Sequence, residues 1–352
     1  MNMKVICAVT GFLLFLSGLS FPQNLERLVN LKGSWKFSIG DDKNWSAQNY
    51  DDKSWETVQV PSSWENQGFH GYDGYAWYRK HFTFNHTSKG NGITLKLGRI
   101  DDVDEVYLNG NLIGFSGSFP PNYKTAYNAW REYHIPDKYL LSNKENVIAV
   151  RVYDAELEGG ILEGEIGLYE NKDAMKLDLD LSGIWEFKTG DDINWKEEKL
   201  NDKDWGKILV PGHWENQGYE NYDGFAWYRL SFKPDDKLAS KKLVLVLGKI
   251  DDIDEVYLNG KLIGSTGNLN AQPIRYNTKE EWQLFRGYFI PQDLLLANKE
   301  NVIAVRVYDG FKDGGIYQGP VGLIEQSKYT KFWRNYKQPS KEKTNFWDWF
   351  LD

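Results

Sequence analysis

Cysteine is almost absent: the 352 residues hold one, Cys7. It lies inside an N-terminal apolar run, so no disulfide is expected beyond that run. A chain without staples suits a bacterial periplasm or exterior, or domains large enough to dispense with them. Histidine is scarce too. His70, His81, His86, His134 and His213 stand in no metal-ligand spacing. Positive charge is in deficit, with 42 Lys and Arg against 50 Asp and Glu and a net charge of −8. That argues against a nucleic-acid partner, which needs a basic stripe. Long hydrophobic runs are missing. The longest, Val5 to Leu16, is too short to span a bilayer comfortably, so no membrane span is expected. Long helical patterns and a nucleophile elbow are also lacking.

What is present begins with "MNMKVICAVTGFLLFLSGLS". One Lys, an apolar run and then small residues read as a signal peptide over residues 1–20. The expected location is therefore secreted or periplasmic. Cys7 lies within the run rather than after it, which argues against a lipid anchor. Aromatics reach 15% of the chain, with 15 Trp, and the length suits about two domains.

The chain repeats itself. "IDDVDEVYLNG" from Ile100 returns as "IDDIDEVYLNG" from Ile250, and "WENQG" at 64–68 returns at 214–218. "AWYR" and "NKENVIAVRVYD" also recur. Such spacing marks a duplication of whole domains, since each copy is long enough to bury a core of its own. The domains are placed at 24–172 and 177–326, followed by an aromatic and basic tail at 327–352. Within a copy, short runs such as "GSWKFSIG", "AWYRKHFTF", "ITLKLG" and "VIAVRVYD" alternate in strand fashion between turn clusters. Asn109–Gly110 is a two-residue hairpin signal. The expected fold is all-β, as two tandem jelly-roll β-sandwiches.

The acidic stretch Asp101, Asp102, Asp104 and Glu105 allows three readings. Read as one strand, it puts Asp102, Asp104, Val106 and Leu108 on one face. A half-buried acid there needs a partner, and Arg79, Arg131 and Arg151, with Arg229, Arg286 and Arg306 in the second copy, offer bidentate pairing. Structural calcium is the second reading, although no loop has the full ligand spacing; no other cofactor is expected. Catalysis is the third. It fits least, because neighbours along one strand either diverge or crowd, whereas a glycosidase needs two carboxylates roughly 5–10 Å apart.

The ordered set "YDG.AWYR", "LKLG.IDD.DEVYLNG", "IAVRVYD" and "GGI" resembles the sugar-binding jelly-roll domain of glycoside hydrolase family two. That domain precedes the catalytic barrel of β-galactosidases, and a similar one accompanies bacterial sialate O-acetylesterases. The resemblance implies a galactose-binding-like accessory fold. A catalytic barrel needs about 250 residues, and the two copies leave no room for one, so no catalytic residue is expected.

Sugars stack on aromatics while their hydroxyls meet acids, amides and arginines. Candidate sugar contacts are therefore Trp64, Glu65, Asn66, Asp73 and Arg131, with Trp214, Glu215, Asn216, Asp223 and Arg286 in the second copy. The alternative for the repeated Trp residues is plain core packing. Asp154 and Asp309 join the set through the resemblance, which places the loop after "VRV" near a sugar subsite. The expected function is secreted, non-catalytic binding of galactoside-like glycans. Alternatives are a subunit that completes a partner enzyme's site and an interaction module without sugar binding. The aromatics of Lys328–Asp352 suit a protein partner or a strap across the domain junction.

Overall fold

A computed structural model describes residues 24–86, 92–276 and 280–336. The expected signal peptide and the tail beyond residue 336 lie outside the described residues. The first copy holds β1 (Leu25–Asn30), β2 (Gly33–Ile39), β3 (Glu56–Val60), β4 (Gly74–Thr83), β5 (Ile93–Asp101), β6 (Val103–Leu108), β7 (Asn111–Ser116), β8 (Trp130–Ile135), β9 (Glu145–Asp154) and β10 (Gly160–Asn171). A four-stranded sheet, β1-β10-β5-β8, faces a six-stranded sheet, β3-β2-β4-β9-β6-β7. All of these pairings are antiparallel.

The second copy repeats the plan. Its strands are β11 (Leu179–Asp180), β12 (Gly183–Thr189), β13 (Gly206–Val210), β14 (Gly224–Phe232), β15 (Leu243–Asp251), β16 (Ile253–Leu258), β17 (Lys261–Thr266), β18 (Phe285–Phe289), β19 (Asn301–Asp309) and β20 (Gly315–Glu325). They form the sheets β11-β20-β15-β18 and β13-β12-β14-β19-β16-β17. The fold is all-β, with two sandwich-like units in tandem.

Alternation explains the cores. Leu95, Leu97, Val106, Leu108, Val150 and Val152 point inward in the first copy, and Leu245, Leu247, Val256, Leu258, Val305 and Val307 do so in the second. Asn109 and Gly110 have φ of 51° and 82°, the two positive values a type I′ hairpin needs. Gly98, at φ +65°, sits where β5 bulges; a Cβ there would lie 1.8 Å from the Glu163 carbonyl. Only glycine can fill that position.

The acidic stretch is not one strand. β5 ends at Asp101 in the four-stranded sheet, and β6 starts at Val103 in the six-stranded one. Asp102 is the corner between sheets, so simple alternation does not place it beside Asp104. The "DDKSW" segment (51–55) forms a bonded turn from Trp55 N–H to the Asp52 carbonyl. Asp137–Tyr139 forms a 3-10 turn.

The six arginines singled out from the sequence all pair with acids. Arg79 meets Asp52, Arg131 meets Asp104 and Arg151 meets Asp41; Arg229, Arg286 and Arg306 meet Asp202, Asp254 and Asp191. Asp180, in the first strand of the second copy, accepts bonds from His134 and the Asp137 amide of the first copy. The described part of the tail is helix α2 (Gln326–Tyr336), named after a short helix α1 (Asp236–Ala239). Tyr329, Phe332 and Trp333 pack on Val244, Val246, Ile324 and on Met175 and Leu177 of the linker. This part of the tail straps the second copy and the linker. Among the described residues no helix is long and apolar enough to cross a membrane.

Candidate functional site

Strand register gathers acids at one end of each sandwich. Asp101 pairs across from Gly160, Asp154 pairs across from Gly74, and Val103 opposes Tyr153. The ends of β5 and β9 therefore meet beside the sheet corner at Asp102. Carboxylate oxygens of Asp101, Asp102 and Asp154 lie within 4.8 Å of one another. Exposed Asp73, just before β4, adds its charge to Asp154. Tyr123 donates to Asp102 at 2.5 Å and the Ala155 amide does so at 3.1 Å. The Thr125 hydroxyl also donates to Asp102. Asp154 differs: it is fully buried and neither of its oxygens meets a donor at hydrogen-bond geometry. Burial, reinforced by Asp101 and Asp102, pushes its carboxyl up to about 7. Burial and the Asp102 charge push Asp101 up to about 6.

The second copy repeats the arrangement with Asp251, Asp252 and Asp309, again within 4.8 Å. Tyr276 and the Gly310 amide donate to Asp252 at 3.2 and 3.1 Å. Asp309 accepts from the Phe311 amide on one oxygen and leaves the other unpartnered. Burial and the neighbouring Asp252 push Asp251 up to about 8, and burial pushes Asp309 up to about 6.

Between the copies lies an open cleft of about 610 Å³. Asn122, Tyr123 and Lys124 line it from the first copy, and Glu215, Asn216 and Asp313 from the second. Tyr123 thus joins the cleft to the first acid triad. Glu215 is nearly buried; burial, with Asp309 and Asp313 adding, pushes its carboxyl up to about 7 against the pull of the Gly314 amide.

The candidates from sequence divide sharply. Trp64 and Trp214 have no exposed surface. Each indole N–H is bound, to the Tyr72 and Tyr222 carbonyls respectively, and each ring is pressed on a glycine, Gly159 or Gly314. They are core and offer no face to a sugar. Arg131 and Arg286 are fully committed: besides Asp104 and Asp254 they bind backbone carbonyls of Ala126 and Ala129, and of Glu281 and Leu284. They are struts rather than sugar contacts. Glu65 holds the Gly159 amide, as Glu215 holds that of Gly314, and Asn66 binds Ser63. Asn216 opens into the cleft. Asp73 and Asp223 are exposed beside the triads, while Asp154 and Asp309 form their floors without surface of their own.

Sequence reasoning weighed Asp101 and Asp102 as calcium ligands but did not bring Asp154 to them, nor Asp309 to Asp251 and Asp252. It also missed Tyr123 and Trp130. Trp130 is 62% exposed and lies over Gly164. Its second-copy counterpart, Phe285, is instead covered by Trp333, with ring centroids 5.1 Å apart.

Comparison with known proteins fits this fold. Residues 40–158 match the β-galactosidase second all-beta domain. The chain is related to accessory domains of glycoside hydrolase family two. A putative β-glucuronidase of Formosa agariphila is 30% identical over 158 residues, covering 41% of this chain and 14% of that protein. β-Galactosidase BoGH2A of Bacteroides ovatus is 24% identical over 173 residues, covering 46% of this chain and 18% of that protein. The chain thus matches less than a fifth of either relative. Among solved structures, Bacteroides uniformis β-glucuronidase 2 aligns over 84% of this chain and 28% of its own, with a TM-score of 0.36 and 16% identity.

Proposed function

We propose that the chain is a secreted carbohydrate-binding protein that takes a glycan in the cleft between its two copies. The observation that carries this reading is the lining of that cleft. Asn122 and Asn216 present amides, Lys124 an ammonium and Tyr123 an aromatic ring with a hydroxyl, beside the nearly buried Glu215. Such a set matches the hydroxyls and apolar faces of a sugar. An open, polar cleft suits a shallow ligand better than a buried cofactor. The relatives named as β-galactosidase and β-glucuronidase support galactosides and glucuronides as first ligands to try. Lys124 and Lys312 in the lining would favour an acidic sugar. The leader-like residues 1–20 support secretion.

Binding is proposed without catalysis. The acid triads crowd their carboxylates within 4.8 Å, with each pair of adjacent aspartates on one corner. Carboxylates so placed do not flank a glycosidic bond from two sides.

Isothermal titration with galactosides, glucuronides and their oligomers tests the reading. Dissociation constants in the millimolar to micromolar range, about 4–8 kcal/mol, are expected. Tyr123→Ala with Asn216→Ala should weaken them at least tenfold. A chain that binds no glycan below about 10 mM sinks the reading. Release of nitrophenol from a chromogenic glycoside, lost in Glu215→Gln, would replace binding by turnover.

A further inference from the structure

We propose that each acid triad, Asp101–Asp102–Asp154 and Asp251–Asp252–Asp309, binds a calcium ion. Three carboxylates converge in each, with oxygens within 4.8 Å of one another. Convergence of acids alone would not make a site. The second observation is Asp154, which has no exposed surface and two oxygens that meet no donor at hydrogen-bond geometry, aimed into the group. Leaving a buried carboxylate unpaired is costly. Elsewhere in this chain buried aspartates are answered: Asp104 and Asp254 by arginines, and Asp180 by His134, Ser182 and the Asp137 amide. At Asp154 only the Glu156 amide leans toward the carboxylate, and no donor reaches either oxygen at hydrogen-bond geometry. Asp309, equally buried, repeats the pattern with one unpartnered oxygen.

The donor chemistry selects the ion. Only oxygen ligands are present, which suits a hard cation. Three carboxylates offer up to six oxygens, and calcium accepts six to eight in flexible geometry, whereas magnesium demands a near-regular octahedron. Asp102 is already held by Tyr123, Thr125 and the Ala155 amide, and Asp252 by Tyr276 and the Gly310 amide. Such outer contacts aim a ligating carboxylate and leave lone pairs free for an ion. Asp101 and Asp251 are only half-buried, so each triad has an entrance. The inference stands whether or not the cleft takes a sugar.

The test uses the whole chain after treatment with a chelator. Calcium titration by calorimetry should give saturable heat for about two ions per chain, with dissociation constants of about 0.1–1 mM, as in extracellular modules. Melting should rise by about 3–6 °C at saturating calcium, and magnesium should give much less. Terbium should be sensitised by Tyr123 and displaced by calcium. Asp154→Asn with Asp309→Asn should lose both heat and melting shift. In chelator that variant should melt no lower than the parent, which separates a lost ion from a lost fold. No heat and no melting shift at about 10 mM calcium overturns the proposal, as does calcium binding that survives the double substitution.

Discussion

Arg131 donates its Nε–H to Asp104 at 2.7 Å, and neither side chain reaches solvent. Tyr133 completes the acid with an O–H bond at 2.5 Å. The same trio recurs as Arg286, Asp254 and Tyr288. Each joins β6 or β16 of one sheet to β8 or β18 of the other, so charge pairing sits inside the sandwich. Removing one partner leaves the other buried and unanswered. Asp104→Ala is therefore expected to lower stability by about 3–5 kcal/mol. Chemical denaturation of the whole chain measures it. A change within about 0.5 kcal/mol, the norm for surface sites, would contradict the pairing.

Asp180 gives the contact between the copies an acid limit. Burial alone would raise its carboxyl, but bonds from His134, Ser182 and the Asp137 amide outweigh that and hold it at about 2. An unfolded aspartate titrates near 3.9. The folded pKa is the lower one, so the stabilisation is complete above about pH 4 and fades as pH falls toward 2. Asp180→Asn should then cost about 2 kcal/mol at pH 7 and almost nothing near pH 2. Melting curves of both proteins across that window should converge at the acid end; a gap that stays constant with pH would show that charge plays no part.

Glu215 has the opposite sign. Its carboxyl is pushed up to about 7, above the usual 4.3 or so of an unfolded glutamate. The folded state therefore resists ionisation, and a cost builds as pH rises from about 4 to about 7. Glu215→Gln keeps an acceptor for the Gly314 amide and drops the charge. It should match the parent near pH 4 and exceed it by about 2 kcal/mol at pH 8. Equal stability of the two at pH 8 would mean that the cleft solvates the charge.

Much of this architecture was legible because it rests on local rules. Alternation in "VIAVRVYD" and "ITLKLG", the Asn109–Gly110 turn and the repetition of both copies give strands, hairpin and domain count directly. The acid–arginine pairing also followed from burial, since a strand that hides Asp104 must answer it. The site was less legible. Asp101 and Asp154 are more than fifty residues apart in sequence and meet only because strand pairing sets Asp101 opposite Gly160 and Asp154 opposite Gly74. Asp102 looked like part of a strand because nothing in "IDDVDE" marks where the chain changes sheets. The aromatic chemistry of "WENQG" suggested a sugar platform, yet burial depends on Gly159 and Gly314, about a hundred residues away. The cleft needs both copies at once, which no reading of a single repeat could supply.

Trp64 provides the sharpest separation of core from binding surface. Its ring lies against Gly159, where a Cβ would stand 2.0 Å from the indole, and near Phe37 and Tyr72 at 5.9 Å. Its N–H is spent on the Tyr72 carbonyl. Truncation removes a large packed side chain and strands that carbonyl, so Trp64→Ala should cost about 3–5 kcal/mol. Gly159→Ala should be disruptive from the other side of the same contact, because the added methyl group has no room. Tyr123→Ala, by contrast, removes a ring that is 39% exposed and lines the cleft. It should lower glycan affinity while changing stability by little more than its bond to Asp102, about 1–2 kcal/mol. Paired measurements of melting and glycan titration on the two variants decide the matter. Glycan affinity lost in a Trp64→Ala protein that melts like the parent would return Trp64 to the binding surface.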